Sequence, residues 1–332
     1  MTDPRPRRPW QATSPWPVPP PGAYPPGVHP PGADPAAALP PPPASAVIAV
    51  CSGKGGVGKS TVALNLAVAL AAEGSRVGLL DADVHAPDIP LMVGLARRVA
   101  TTQWVLARRG GLGRTPLEPV ERYGVQLMST GFLFGEDQSI AWTADLVQAL
   151  LNQLVWSTTW GELDYLLVDL PPGTSDITQA IVRLLPAASA VLVVTPQDVA
   201  HLDTRRVLTM LEQARIPVLG AVENMSWLTC PCCRTRIEVF APVAPQRSIW
   251  SAGVARLAAV PLEAPDGATE ETAPVVAARP SSPRAEAFRA AAGAVRELLG
   301  QRAAGPGRDS EGEAAGTGRD PESEATGPDP GE

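Results

Sequence analysis

Two hydrophobic rhythms alternate along the middle of the chain. Unbroken apolar runs at residues 46–50, 76–81, 125–128, 165–169, 190–195 and 218–222 predict buried strands. Between them, apolar positions recur at helical spacing. Val62, Leu66 and Leu70 mark a helix over 60–73 that stops at Gly74, and Leu146, Leu150 and Leu154 mark another over 142–156. Residues 177–185 and 204–214 predict two more helices. Strands that read as continuous apolar runs, separated by helices, specify an α/β fold: a doubly wound, mainly parallel sheet with helices on both faces. The Arg/Gly-rich stretch 97–121 breaks the pattern and reads as a loop or irregular hairpin. Ligands of such a sheet bind at the carboxyl ends of its strands. Residues 53–60, Asp83, Asp169 and Asn224 all fall at such ends.

Composition trims this pattern to one domain. The chain has 332 residues and 38 prolines, many of them in the first 44 residues, with runs at 19–21 and 40–43. The last thirty residues are Gly, Ala, Glu and Asp with almost no large apolar side chain. Neither end can bury enough surface to offset chain entropy, so a disordered proline-rich arm is expected over 1–44 and a disordered acidic tail over 299–332. The domain between them spans 45–298. The net charge is −7, and the core carries no basic block, which argues against nucleic acid as a partner. Arg5, Arg7 and Arg8 have no apolar run behind them, so the arm does not read as a secretory signal. The longest apolar stretch, 184–194, is too short for a membrane span, which needs about 20 residues. Four cysteines, three of them crowded at Cys230, Cys232 and Cys233, fit a reducing cytoplasm and metal ligation better than disulfides.

Candidate chemistry begins at residues 53–60, Gly-Lys-Gly-Gly-Val-Gly-Lys-Ser, which have the P-loop spacing between a predicted strand and a predicted helix. Its glycines let backbone N–H groups converge on phosphate oxygens at a helix N-terminus. Lys59 is placed to reach the β- and γ-phosphates, and the Ser60 hydroxyl to bind Mg²⁺. Asp169 closes an apolar strand and suits Mg²⁺, through water, as a Walker B acid. The Pro171-Pro172-Gly173 turn after it suits a γ-phosphate switch. Asp81 and Asp83 share one side of an extended segment, and either can orient the attacking water, with Asp83 deeper in the loop. Cys230 and Cys233 have metal-ligand spacing. One pair supplies two thiolates where a zinc or iron–sulfur site wants four ligands, so the simplest completion is a second copy of the chain. A redox pair or half a zinc knuckle also satisfies the spacing. Cys232 is an extra thiol, ligand or bystander, and Cys51 reads as a small core residue.

Together these segments resemble one family. Lys54, early in the P-loop, is the signature lysine of the deviant class that includes the nitrogenase iron protein and the MinD/ParA ATPases. Several further segments resemble the Mrp/ApbC iron–sulfur cluster carrier ATPases: 80–83 Leu-Asp-Ala-Asp, 128–132 Met-Ser-Thr-Gly-Phe, 168–174 Val-Asp-Leu-Pro-Pro-Gly-Thr, 223–226 Glu-Asn-Met-Ser, and 230–233 Cys-Pro-Cys-Cys. Phe240 and the closing 274–276 Pro-Val-Val with 285–288 Ala-Glu-Ala-Phe also fit. The resemblance implies that Gly53, Gly55, Gly56, Val57, Gly58, Lys59, Ser60 and Thr61 hold ATP with Mg²⁺. Lys54 acts across a homodimer on the partner's phosphates, Asp83 positions water, Asp169 supports Mg²⁺, and Asn224 contacts adenine. Cys230 and Cys233 of two subunits bridge a [4Fe–4S] cluster destined for apo-proteins. Slow ATP hydrolysis controls that cluster through a switch running from Asp169 toward the cysteines. The chain departs from the family at Asp83-Val-His-Ala-Pro-Asp88, at Trp142-Thr-Ala-Asp145 and at Ala241-Pro242. A MinD/ParA-type positioning ATPase and a zinc-bridged regulatory dimer are the rival readings.

Overall fold

The computed structural model describes residues 43–95, 116–132, 144–185, 188–233, 235–263 and 272–304. Their order is β1 (Ala44–Ser52), α1 (Lys59–Ala72), β2 (Val77–Asp81), α2 (Ile89–Met92), β3 (Val120–Arg122), β4 (Val125–Ser129), α3 (Ala144–Trp156), β5 (Leu163–Asp169), α4 (Asp176–Leu184), β6 (Ser189–Val194), α5 (Asp198–Gln213), β7 (Val218–Thr229), β8 (Arg236–Ile237), β9 (Arg256–Leu262), α6 (Val275–Ala278) and α7 (Pro283–Ala304). The proline-rich arm, the tail beyond 304 and most of the 97–121 loop lie outside the described residues.

The strands form one sheet in the order β3-β4-β2-β5-β1-β6-β7-β8, with β9 also pairing β7. All pairs are parallel except β3 with β4 and β7 with β8. The predicted α/β class and mainly parallel sheet are therefore observed. Connections run to opposite sides of β1, which is paired with β5 on one flank and β6 on the other. That is the switch point where the carboxyl ends of a doubly wound sheet open to a ligand. The last described part of the expected irregular hairpin is β3, which turns through Tyr123 and Gly124 into β4.

Strands β2 and β6 are buried along their whole length, as their unbroken apolar runs require. Helix α1 is buried further round than its Val62/Leu66/Leu70 stripe predicts, because every residue from Val62 to Leu70 is covered. The reason is α7, for which the sequence reading has no counterpart. Its many alanines offer little contrast between faces, yet Ala285, Phe288, Ala291, Ala292 and Val295 are buried and close the outer side of α1. Asn65, the one polar residue on that side, accepts from the Val276 N–H of α6 at 3.1 Å, which satisfies a buried amide. Helix α7 continues to Ala304, past the expected domain limit at 298.

Candidate functional site

The loop after β1 enters α1 through Gly58, whose φ of 82° is left-handed. A Cβ at Gly58 would stand 2.2 Å from Asn224 Nδ2, so only glycine lets the loop lie this close to β7. Gly53 is pressed equally hard against α5, where a Cβ would stand 2.3 Å from the Thr204 nitrogen. By contrast, a Cβ at Gly55 or Gly56 meets nothing within 4 Å. The middle of the loop is thus open and its two ends are wedged between strands and helix.

Around this loop the strand-end acids converge. Lys59 Nζ donates to Asp169 Oδ1 at 2.6 Å and to Ser60 Oγ at 3.3 Å, with the Asp169 side chain fully buried. Burial pushes the Asp169 carboxyl above its ordinary range, and the Lys59 ammonium pulls against that shift. Among the described residues, Asp169 Oδ2 is buried without a hydrogen-bond partner. An orphaned carboxylate oxygen beside a hydroxyl is a donor set that fits Mg²⁺, and Ser60 with Asp169 are the residues that would hold it. The Pro-Pro-Gly turn is tied to β1 by Gly173 N–H to the Ser52 carbonyl at 2.8 Å and Leu170 N–H to the Val50 carbonyl at 3.1 Å. Both bonds fasten the turn to the root of the phosphate loop.

Asp81 and Asp83 divide their work. Asp81 is fully buried, and its Oδ2 accepts from the Ser129 hydroxyl at 2.9 Å and from Ile89 N–H at 3.4 Å, while Oδ1 accepts from Asp83 N–H at 3.2 Å. Its carboxyl is raised well above the usual range, first by burial and then by Asp169. It braces the 82–89 loop. Asp83 Oδ1 accepts from His85 and Ala86 N–H, both at 3.3 Å, an Asx turn that aims this residue. Its charge reaches Asp169 and raises that carboxyl too.

Asn224 sits on β7 and donates through Nδ2 to the Val57 carbonyl at 2.9 Å. Here it holds the phosphate loop. Met225 follows with a φ of 57°, and the β7–β9 register shifts between Asn224 and Leu228. The strand then runs on to Thr229, so one element joins the loop contact at Asn224 to the cysteines. Expected as a short strand over 218–222, β7 is twice that length. Its end pairs with β8, and the turn between them carries Cys230, Cys232 and Cys233. Cys230 N–H donates to the Thr235 carbonyl at 2.9 Å, closing the turn. Cys230 is half-buried, and Cys232 and Cys233 are exposed. Cys233 Sγ lies 3.2 Å from the Thr235 hydroxyl, and hydrogen bonds from Thr235 and Cys230 lower its thiol to about 7. No group of three or more metal-ligating side chains is found among the described residues. Cys51 is buried in β1 and its thiol is raised to about 12 by burial, in keeping with a core role.

Lys54 does not face the acids. Its Nζ donates to Gln197 Oε1 at 2.9 Å. Neither Gln197 nor the bracing role of Asp81 was anticipated. The signal available for Asp81 was a carboxylate at the end of a wholly apolar strand. For Gln197 there was none.

A strand, a glycine loop with a buried lysine, and acids on neighbouring strand ends define a P-loop nucleotide-binding protein. A family model described as "ParA: NUBPL iron-transfer P-loop NTPase" matches residues 44–296, and the chain belongs to that family. An iron-sulfur cluster carrier protein from Synechocystis is 42% identical over 250 residues, 74% of this chain and 69% of the relative. An Arabidopsis thaliana protein described as an iron-sulfur protein required for NADH dehydrogenase, mitochondrial, is 39% identical over 246 residues, 73% of this chain and 75% of its own. Among solved structures, an Archaeoglobus fulgidus nucleotide-binding protein in complex with ADP has a TM-score of 0.56 at 35% identity, covering 69% of this chain and 86% of that one. MinD with Mg-ADP from Pyrococcus horikoshii has a TM-score of 0.56 at 25% identity, covering 77% and 97%. No described helix is long and apolar enough to cross a membrane.

Proposed function

We propose that the chain is a cytoplasmic, homodimeric, Mg-ATP-dependent carrier that receives a [4Fe–4S] cluster as cargo on Cys230 and Cys233 of two protomers and passes it to apo-proteins. The observation that carries this reading is the hairpin. A long strand leaves the phosphate loop at Asn224 and presents two thiols at an exposed turn, with one thiol already poised to ionise near neutral pH. Thiolate is the ligating form. Two thiols per chain call for a second chain to complete four ligands. An exposed turn also suits a cargo that must leave.

In the nucleotide site, the Gly53–Thr61 segment cradles phosphates. Lys59 exchanges Asp169 for the β- and γ-phosphates, which frees Asp169 to face Mg²⁺ with Ser60. Held there by Ser60 and Asp169, Mg²⁺ would supply charge neutralisation for the phosphates. Asp83 orients the water. Lys54 of the partner stabilises the transferring group, and a cation supplied in trans can contribute about 10³–10⁵ in rate. Asn224 borders the base while tying β7 to the loop, so nucleotide state reaches the cysteines along β7 as well as from Asp169.

Two experiments test this. Anaerobic reconstitution with iron and sulfide should give a [4Fe–4S] Mössbauer signature in wild type and none in Cys230→Ala/Cys233→Ala. Zinc alone in wild type, or equal iron in the double variant, defeats the carrier reading. For hydrolysis, Lys54→Ala and Asp83→Asn should each bind ATP and each be inactive, and mixing them should restore turnover, because one chain keeps the lysine and the other an intact site. No recovery on mixing defeats the trans role of Lys54.

A further inference from the structure

The Lys54 ammonium is already engaged inside its own chain. Gln197 Oε1 accepts from Lys54 Nζ at 2.9 Å and from the Thr195 hydroxyl at 3.3 Å. Gln197 stands at the N-cap position of α5 with extended backbone, φ −131° and ψ 134°, yet its side chain makes no capping hydrogen bond. The carboxamide therefore serves the lysine and not the helix. The fit is built in from the other side as well. Gly53 is wedged against the backbone of Asp203 and Thr204, with room for no side chain, so the base of Lys54 is held beside α5. The same helix turns Val199 (59% exposed) and Leu202 (41% exposed) to the surface, one turn apart. Both stand on the helix whose N-cap residue is Gln197.

We propose that Gln197 is a latch: it holds Lys54 within its own protomer until a second, ATP-loaded copy offers phosphate oxygens that outcompete it. This rests on the reading that Lys54 acts across a dimer. The physical basis is the difference between acceptors. An amide oxygen is a neutral acceptor, whereas hydrogen bonds between an ammonium and an anionic phosphate are charge-assisted and roughly twice as strong. A bare partner cannot draw the lysine away; a partner carrying ATP can. The exchange makes productive pairing depend on nucleotide with no large conformational change. Gln197 is thus a positioning residue, since it touches neither substrate nor reacting atoms.

The test uses the mixed dimer. A donor chain carries Asp83→Asn, which silences its own site and keeps Lys54. An acceptor chain carries Lys54→Ala, which keeps its own site. Adding Gln197→Ala to the donor should lower the donor concentration for half-maximal turnover about fivefold, the net size of one ordinary hydrogen bond. The same change in the acceptor should alter nothing, because that chain has no Lys54 to hold. Gln197→Glu in the donor should act oppositely and raise the half-maximal concentration several-fold, since a carboxylate grips the ammonium harder. ATP affinity, from titration with a fluorescent analogue, should stay constant throughout. Structural damage would move both Gln197 variants the same way. If Gln197→Ala weakens the donor, or acts equally from either chain, the latch is overturned. If the mixture with unchanged Gln197 shows no turnover, Lys54 does not act in trans, and the latch falls with its premise before Gln197 is altered.

Discussion

The phosphate loop and the cysteine hairpin hang on the same strand and are built on opposite principles. At Asn224, β7 meets a loop whose ends are immovable: Gly58 and Gly53 leave no room for a Cβ, and Lys59 and Asp169 form a buried pair. Five residues later, at Thr229, the strand ends in a turn closed by one backbone hydrogen bond, with two of its three thiols in solvent. The first region cannot change without disturbing the core. The second, proposed above as the cargo site, is built so that ligands can come and go without touching the core. A nucleotide site needs donors held in advance at fixed positions, whereas a cargo site must let its cargo go. The difference lies in the chemistry and not in the fold, because both sites are made from carboxyl ends of one sheet.

The largest effect on stability is expected at Gly58→Ala. A left-handed φ and a 2.2 Å approach to Asn224 should cost about 3 kcal/mol in urea unfolding and abolish ATP binding. A stable, ATP-binding variant would show that the loop is looser than its geometry.

Next comes His201 on α5. It is fully buried and accepts through Nδ1 from Ile249 N–H at 3.2 Å, with Trp250 edge-on to its ring. Burial, with Arg256 adding to it and Asp198 opposing, holds it down at about 4. A histidine depressed in the folded state binds protons more readily when unfolded. Its contribution is therefore complete above about pH 6.5 and is lost as pH falls from there to about 4, amounting to roughly 2–3 kcal/mol. His201→Gln keeps an acceptor for Ile249 and cannot titrate, so its stability should be flatter across that window. An unchanged pH profile would remove His201 as the cause. The effect bears on the comparison because the segment that follows the hairpin is clasped to α5 here. Asp198 accepts from Ala244 N–H at 3.0 Å and pairs with Arg247 at 2.6 Å, so acid should loosen the cysteine side first.

Asn224→Ala should cost about 1–2 kcal/mol, the value of a buried amide that leaves the Val57 carbonyl unpaired. It should also weaken ATP binding, measured by calorimetry, without altering iron uptake. Loss of both would mean that β7 transmits more than it holds. The smallest effect belongs to Cys230→Ser/Cys233→Ser, within about 0.5 kcal/mol in the absence of iron, because surface side chains away from caps and pairs seldom matter to folding. The same variant should lose all iron–sulfur binding. A large loss of stability would place the hairpin in the scaffold.

Six of the nine described strands, the parallel class and the phosphate-loop pattern were legible along the chain for a common reason, whereas β3, β8 and β9 were not. Strands β2 and β6 are buried on both faces, so all but one end residue of each is apolar, and a glycine loop between strand and helix is a local pattern. Asp169 and Asp81 stood out because each is an acid that ends an apolar run, and Asp83 lies two residues beyond the second. The cysteine pair was visible by spacing alone. Helix α7 was not, since its buried stripe at 285, 288, 291, 292 and 295 is mostly alanine and contrasts little with the alanines of its other faces. The full length of β7 was hidden as well, because residues past Val222 turn polar where the strand passes beyond β6 and pairs instead with β9 and β8.

Local pattern along the chain set six of the strands, four of the helices and the groupings at the phosphate loop and the cysteine turn, because these depend on backbone propensity, periodicity and functional groups close in sequence. Only the tertiary structure decided which groups meet. Gln197 lies 143 residues from Lys54 and Asn224 lies 167 from Val57, and no local pattern can encode contacts across such spans. They arise because parallel strands bring every carboxyl end to one edge of the sheet, where a carboxamide can restrain a lysine and one long strand can join the nucleotide loop to the thiols.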